Sequence, residues 1–159
     1  MKLAKQNGEN WQYELNAVEA DLLKQLLKNF PFTGHVPVKI SKVNADSNSI
    51  EREKLLNESL AEHRKELKKQ ANNLIAAKKF NPSEKAHLLT LNAKERETLL
   101  QILNDIRVGC WRALGEPETT ELHKPDCSAQ ELARHQLMNL AGYFEHHLIG
   151  LTERETGRH

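Results

Sequence analysis

One phrase occurs twice in this chain. Leu15 to Leu27 reads LNAVEADLLKQLL, and 76 positions later Leu91 to Leu103 reads LNAKERETLLQIL. Each copy places Glu three residues after Asn, at the head of a Leu-rich run. This spacing is a helix start: the Asn side chain accepts from an orphan first-turn amide, and the Glu reaches back to the amide of the cap. Asn16 with Glu19 and Asn92 with Glu95 are therefore read as structural caps, opening helices over about Ala17–Asn29 and about Ala93–Leu114. An alternating stretch precedes each cap, Trp11-Tyr13-Leu15 in one copy and His87-Leu89-Leu91 in the other. Period two with aromatic or Leu residues predicts a short strand.

A connector and a longer helix follow each copy. The spacing predicts the first long helix over about Ile50–Lys79, with an apolar stripe of Leu56, Leu60, Leu67, Ala71 and Leu74. The second is predicted over about Ala129–Leu151, opened by Ser128 with Glu131. Its stripe is Ala133, Leu137, Leu140, Ala141, Phe144, Leu148 and Leu151. Gly115 is the expected stop of the third helix, and Pro82 follows the end of the second. Neither strand–helix–helix unit can bury its stripes alone. The expected architecture is all-α: one domain over residues 1–159, with halves at about 10–80 and 86–152. The halves would pack as a four-helix bundle carrying a minor two-stranded β element.

Composition agrees with helix. Apolar residues make up 38% and are mostly Leu, while aromatics make up 5%. The net charge of +1 gives no general attraction to nucleic acid or anionic membranes, so neither is expected as a partner. No apolar run approaches the ~18 residues of a membrane span, and the opening MKLAKQNGENWQ lacks a signal-peptide core. Two cysteines, Cys110 and Cys127, suit a reducing, cytoplasmic setting.

Eight histidines raise the question of metal. Glu131, His135, Asn139 and His146 fall on one side of the fourth helix, but His135 and His146 stand about 16 Å apart at ~1.5 Å per residue and cannot share an ion unaided. His123 with Cys127 lacks a second pair, and Glu84 with His87 runs into the predicted strand. No metal site and no cofactor is expected from these residues. His63, between Leu60 and Leu67, reads as a half-buried structural histidine, and Cys110 as a small core residue. No Gly-x-Ser-x-Gly and no Gly-rich phosphate loop is present, so no catalytic residue is assigned.

Arg107 carries the most information. On a helical projection it sits among Leu100, Leu103, Trp111 and Leu114, where a charge needs a partner. It is expected to stack on Trp111 and pair with Glu19 or Asp21 of the other half, clamping the two units. If its head group reaches solvent, Arg107 becomes a partner- or anion-binding residue, with Trp111 and Asp105 beside it. A second candidate surface is the connector Pro31 to Ser49. There Val36, Val38 and Ile40 alternate and offer a strand-like edge to a partner.

The stretch LNDIR…LG, preceded in the chain by WQYELNAVEADLLKQLL, resembles a bacterial family of unassigned activity best known from actinobacteria. The positions carrying it are Asn104, Asp105, Arg107, Leu114 and Gly115. Members have Gly-x-Arg after the Asp, where this chain has Gly109, Cys110, Trp111 and Arg112. The family's genes often lie beside that of the Clp protease adaptor, so the resemblance implies a link to regulated proteolysis. The expected function is a non-enzymatic cytoplasmic protein-interaction or regulatory module. Its partner would be another protein, and a homo-oligomer is compatible with the reading. The alternative is a helical bundle that binds a metal or small anion, or an enzyme, using Glu19, Glu95, Arg107 or the histidine row.

Overall fold

Tyr13 and Leu89, equivalent positions of the two repeats, face each other across neighbouring antiparallel strands. The computed structural model describes residues 1–32, 39, 46–77, 79–82, 86–118 and 126–149. Its elements are β1 (Lys2–Asn7), β2 (Asn10–Leu15), α1 (Ala17–Asn29), α2 (Ser47–Ala76), β3 (Phe80–Pro82), β4 (His87–Asn92), α3 (Ala93–Ala113) and α4 (Ala129–Ile149). The strands form one antiparallel sheet in the order β1-β2-β4-β3. Each half is a hairpin followed by two helices.

This overturns the all-α expectation. The fold is α+β, with a four-stranded sheet rather than a minor two-stranded element. The helices do not close a core among themselves. Tyr13 and Leu15 of β2 and Leu89 and Leu91 of β4 are buried with Leu23, Leu26, Leu99, Ile102 and Phe144 from the helices. Gln12, Glu14, Leu88 and Thr90 alternate with the buried strand residues and are only partly covered. The helices thus cover one face of the sheet, a two-layer arrangement.

The outer strands escape the period-two test for different reasons. In β1 only Leu3 packs on the core, and a register shift between Leu3 and Lys5 breaks the alternation. Its turn is compact: Gly8, with φ +57°, takes the first of two turn positions between the paired Asn7 and Asn10, as a type II′ hairpin turn requires. In β3 three residues pair with Leu89, Leu88 and His87 of β4, and Pro82 sits where an edge strand tolerates a missing N–H.

The central register carries a two-fold pattern. A shift of 76 residues maps Trp11 onto His87, Tyr13 onto Leu89 and Leu15 onto Leu91. The ladder pairs Trp11 with Leu91, Tyr13 with Leu89 and Leu15 with His87. Each residue pairs with the equivalent of its partner's counterpart, as in a symmetric dimer interface, here within one chain.

The helices depart from that symmetry. α1 has 13 residues and α3 has 21. Of the 30 residues of α2, only Leu67, Ala71 and Leu74 are buried, all near its C-terminal end. Ile50, Leu55 and Leu56 are exposed, and so is His63, which corrects the half-buried reading of that residue. The halves are tied by Arg64 of α2, whose Nε donates to Asp105 Oδ2 of α3 at 3.0 Å. A second tie is Arg96, which donates from Nε to the Tyr13 hydroxyl at 3.0 Å and from Nη2 to the carbonyl of Leu148. Among the described residues, no helix is long and apolar enough to cross a membrane.

Candidate functional site

On α3, Asn104, Arg107, Val108 and Trp111 recur at helical spacing and lie on one side, while Leu99, Ile102, Leu103, Ile106 and Cys110 point into the core. Met138, Asn139 and Gly142 of α4 stand opposite the first set. Together they bound an open groove of about 470 Å³. Its lining is mixed: apolar Val108, Trp111 and Met138, one carboxamide from each helix and one guanidinium.

Arg107 does not clamp the two halves. Its Nη1 donates to Glu145 Oε2, so the pair lies within the second half, between α3 and α4. The Glu145 side chain is 8% exposed and that of Arg107 is 47% exposed. The acid is withdrawn and the base faces out. Arg107 passes close to Gly142 of α4: a Cβ built there would lie 3.6 Å from Arg107 Nε and 3.8 Å from its Cδ, an ordinary van der Waals contact. The stem of Arg107 therefore lies along α4 where that helix carries no side chain. Trp111 donates from Nε1 to the carbonyl of Pro117 at 3.1 Å. The turn beyond α3 makes this possible, with Gly115 at φ +83° and the Glu116 amide bonded to the Trp111 carbonyl at 3.0 Å.

Asp105 is not in the groove; it serves the tie to Arg64. Val36, Val38 and Ile40 lie outside the described residues. The cap residues hold their own helices: the Glu19 and Glu95 carboxylates accept from the amides of Asn16 at 2.8 Å and Asn92 at 2.9 Å, and the Asn16 and Asn92 side-chain oxygens accept in return from the amides of Glu19 and Glu95 at 2.8 Å. The two glutamates do not form a carboxylate pair. Glu95 also meets Lys79 at 2.9 Å. Glu19 accepts from the Met1 ammonium and from the Tyr143 hydroxyl. Partial burial pushes the Glu19 carboxyl up, but these bonds and the Asn16 amide outweigh it and hold its pKa below the ordinary value. The hydrogen bond to Glu19 pushes the Tyr143 phenol up to about 12. Burial, then the Met1 ammonium and His146, lower His147, whose ring lies edge-on to Tyr143 at 4.5 Å.

Sequence reasoning missed Glu145. A signal existed: α4 contains two acids, Glu131 and Glu145, and only the second falls among core residues. Among the described residues, no three of His, Cys, Asp and Glu are gathered closely enough to hold a metal ion. His87 and His135 each have a buried Nδ1 without a partner among the described residues. A smaller hollow of about 350 Å³, between α2 and the start of α3, is lined by side chains of both signs, including Glu66, Lys69, Lys94 and Glu95. Compared with known families, curated proteins and solved structures, the chain matches none of them. The resemblance carried by Asn104, Asp105, Arg107, Leu114 and Gly115 therefore stands on those residues alone.

Proposed function

We propose that this chain is a non-enzymatic protein-interaction module whose binding element is the α3–α4 groove. One observation carries the reading: Arg107 and Trp111 of α3 face Met138 and Asn139 of α4 across a single open groove, with the guanidinium turned outward from its buried acid. Apolar side chains with a few fixed polar groups are the usual make-up of a recognition site. The resemblance noted above supports a link to regulated proteolysis, and the two cysteines suit a setting in the cytoplasm. The exposed edge of Arg107 favours one second reading, the binding of a small anion.

Capture of partners from the native cell tests the groove. Wild type, Asn139→Arg and Leu55→Arg would be immobilised side by side after circular dichroism shows equal folding. A partner held by wild type and Leu55→Arg but lost by Asn139→Arg supports the reading. A partner retained equally on all three would remove the groove from the function.

A further inference from the structure

We propose that the groove receives an extended acidic peptide segment, with a Glu or Asp carboxylate on the outer edge of Arg107 and the peptide backbone on Asn104 and Asn139. This rests on the groove being the interaction surface.

The charge asymmetry of the Arg107–Glu145 pair comes first. The acid side chain is 8% exposed and the base 47%, so an incoming group meets guanidinium N–H donors rather than the carboxylate. Glu145 holds Nη1, and the side chain passes close to Gly142 of α4. The arginine is thereby held in place before a ligand arrives, which lowers the ordering cost of binding. With one nitrogen engaged, the rest of the planar fork still matches a carboxylate.

The carboxamides argue for a chain rather than a free anion. Asn104 and Asn139 are both exposed and come from opposite walls. Each offers an acceptor and two donors, the complement of a peptide unit, and so grips backbone without selecting side chains. The apolar side chains of Val108, Trp111 and Met138 argue the same way. A small anion would leave them wet, whereas the stems of a peptide's side chains would cover them. Among the described residues no lysine and no second arginine lines the groove, so one acid in the segment suffices.

The test uses the full chain and short fluorescein-labelled peptides with one central Glu or, in its place, Gln, followed by fluorescence anisotropy. Free glutarate serves as the small-carboxylate competitor. The Glu peptide is expected to bind at least about tenfold tighter than the Gln peptide, as one charged contact implies. Arg107→Ala should abolish that difference, and Arg107→Lys, which keeps the charge if the Ala variant folds poorly, should restore part of it. The double variant Asn104→Ala/Asn139→Ala should weaken both peptides alike. Equal binding of the Glu and Gln peptides, both expelled by Asn139→Arg, would overturn acidic recognition and leave the groove reading standing. Glutarate competing at the peptide's own concentration would replace the peptide by a small anion. Peptides held equally by Asn139→Arg would sink both this inference and the groove reading beneath it.

Discussion

The two halves begin alike and end differently. Both start with a hairpin whose second strand runs into a helix through an Asn/Glu capping box. After that, α1 stops at 13 residues, with Phe30 buried just past its end, while α3 runs to 21. The extra length of α3, about two turns, carries Arg107, Val108 and Trp111. α4 lies along it and buries Met138, Ala141, Phe144, Glu145 and Leu148. α2 lacks an equally long neighbour in its own half, so its N-terminal part leaves Ile50, Leu55 and Leu56 exposed. Ala20 is fully buried in the first half, where the second half has Arg96 reaching to Tyr13 and Leu148. The difference teaches that the shared start builds the sheet and its first cover, while the groove belongs to what the second half adds.

The contrast can be broken most directly in the second helices. Phe144 is fully buried in α4, and Phe144→Ala is expected to cost ~3–5 kcal/mol. Leu55 of α2 is 58% exposed, and Leu55→Ala should stay within about 0.5 kcal/mol. Denaturant titration of the two variants decides it, and similar losses would mean that the N-terminal part of α2 is packed after all. The charged pair comes next. Arg107→Ala strands the nearly buried Glu145, at an expected cost of ~1–3 kcal/mol, and Arg107→Lys should recover part of it. A loss below about 0.5 kcal/mol would show that Glu145 needs no partner and that the second half is not braced by this pair.

The shared start gives smaller effects, and they should be equal. Asn16→Ala and Asn92→Ala are each expected to cost ~1 kcal/mol, because each removes one side of a complete capping box. Markedly unequal thermal shifts would show that the repeats differ from their first turns onward. The smallest expected effect separates Glu19 from the comparison by pH. A lowered carboxyl pKa stabilises the folded chain above the ordinary value of 4.5, and this contribution is lost as pH falls through the lowered value. Glu19→Gln should therefore flatten the acid limb of a stability–pH curve. Superimposable curves for wild type and variant would mean that the bonds from Tyr143 and Met1 do not act on the folding equilibrium.

What could be read from the residues was local. The caps and the bounds of α1 and α3 follow from side chains reaching backbone three residues away, and β2 and β4 follow from the alternation of a strand with one buried face. β1 carries a recognisable turn at Asn7-Gly8, but Lys-Leu-Ala-Lys-Gln-Asn has too few apolar residues to display a period. β3 is a strand only because β4 lies beside it. The groove was half legible. Arg107 was visible as a charge on an apolar side and Trp111 as its neighbour, while the partner Glu145 depended on how α4 returns along α3. The reading of His63 failed because it assumed that the stripe of α2 is covered along its whole length.

The central ladder has a consequence for the order of assembly. The β1–β2 and β3–β4 hairpins close over short loops, whereas β2 and β4 meet only after α1 and α2 have intervened. Closing so long a loop loses chain entropy before any contact repays it, so non-local ladders form slowly. The contacts within each hairpin are local and that between Tyr13 and Leu89 is not, so this pairing is expected to come late. Until then β2 and β4 each present an open edge of nearly self-complementary register, and two unfinished chains could pair there in place of one finished chain with itself. The symmetry that joins the halves is thus also the route by which crowded folding would exchange them between molecules.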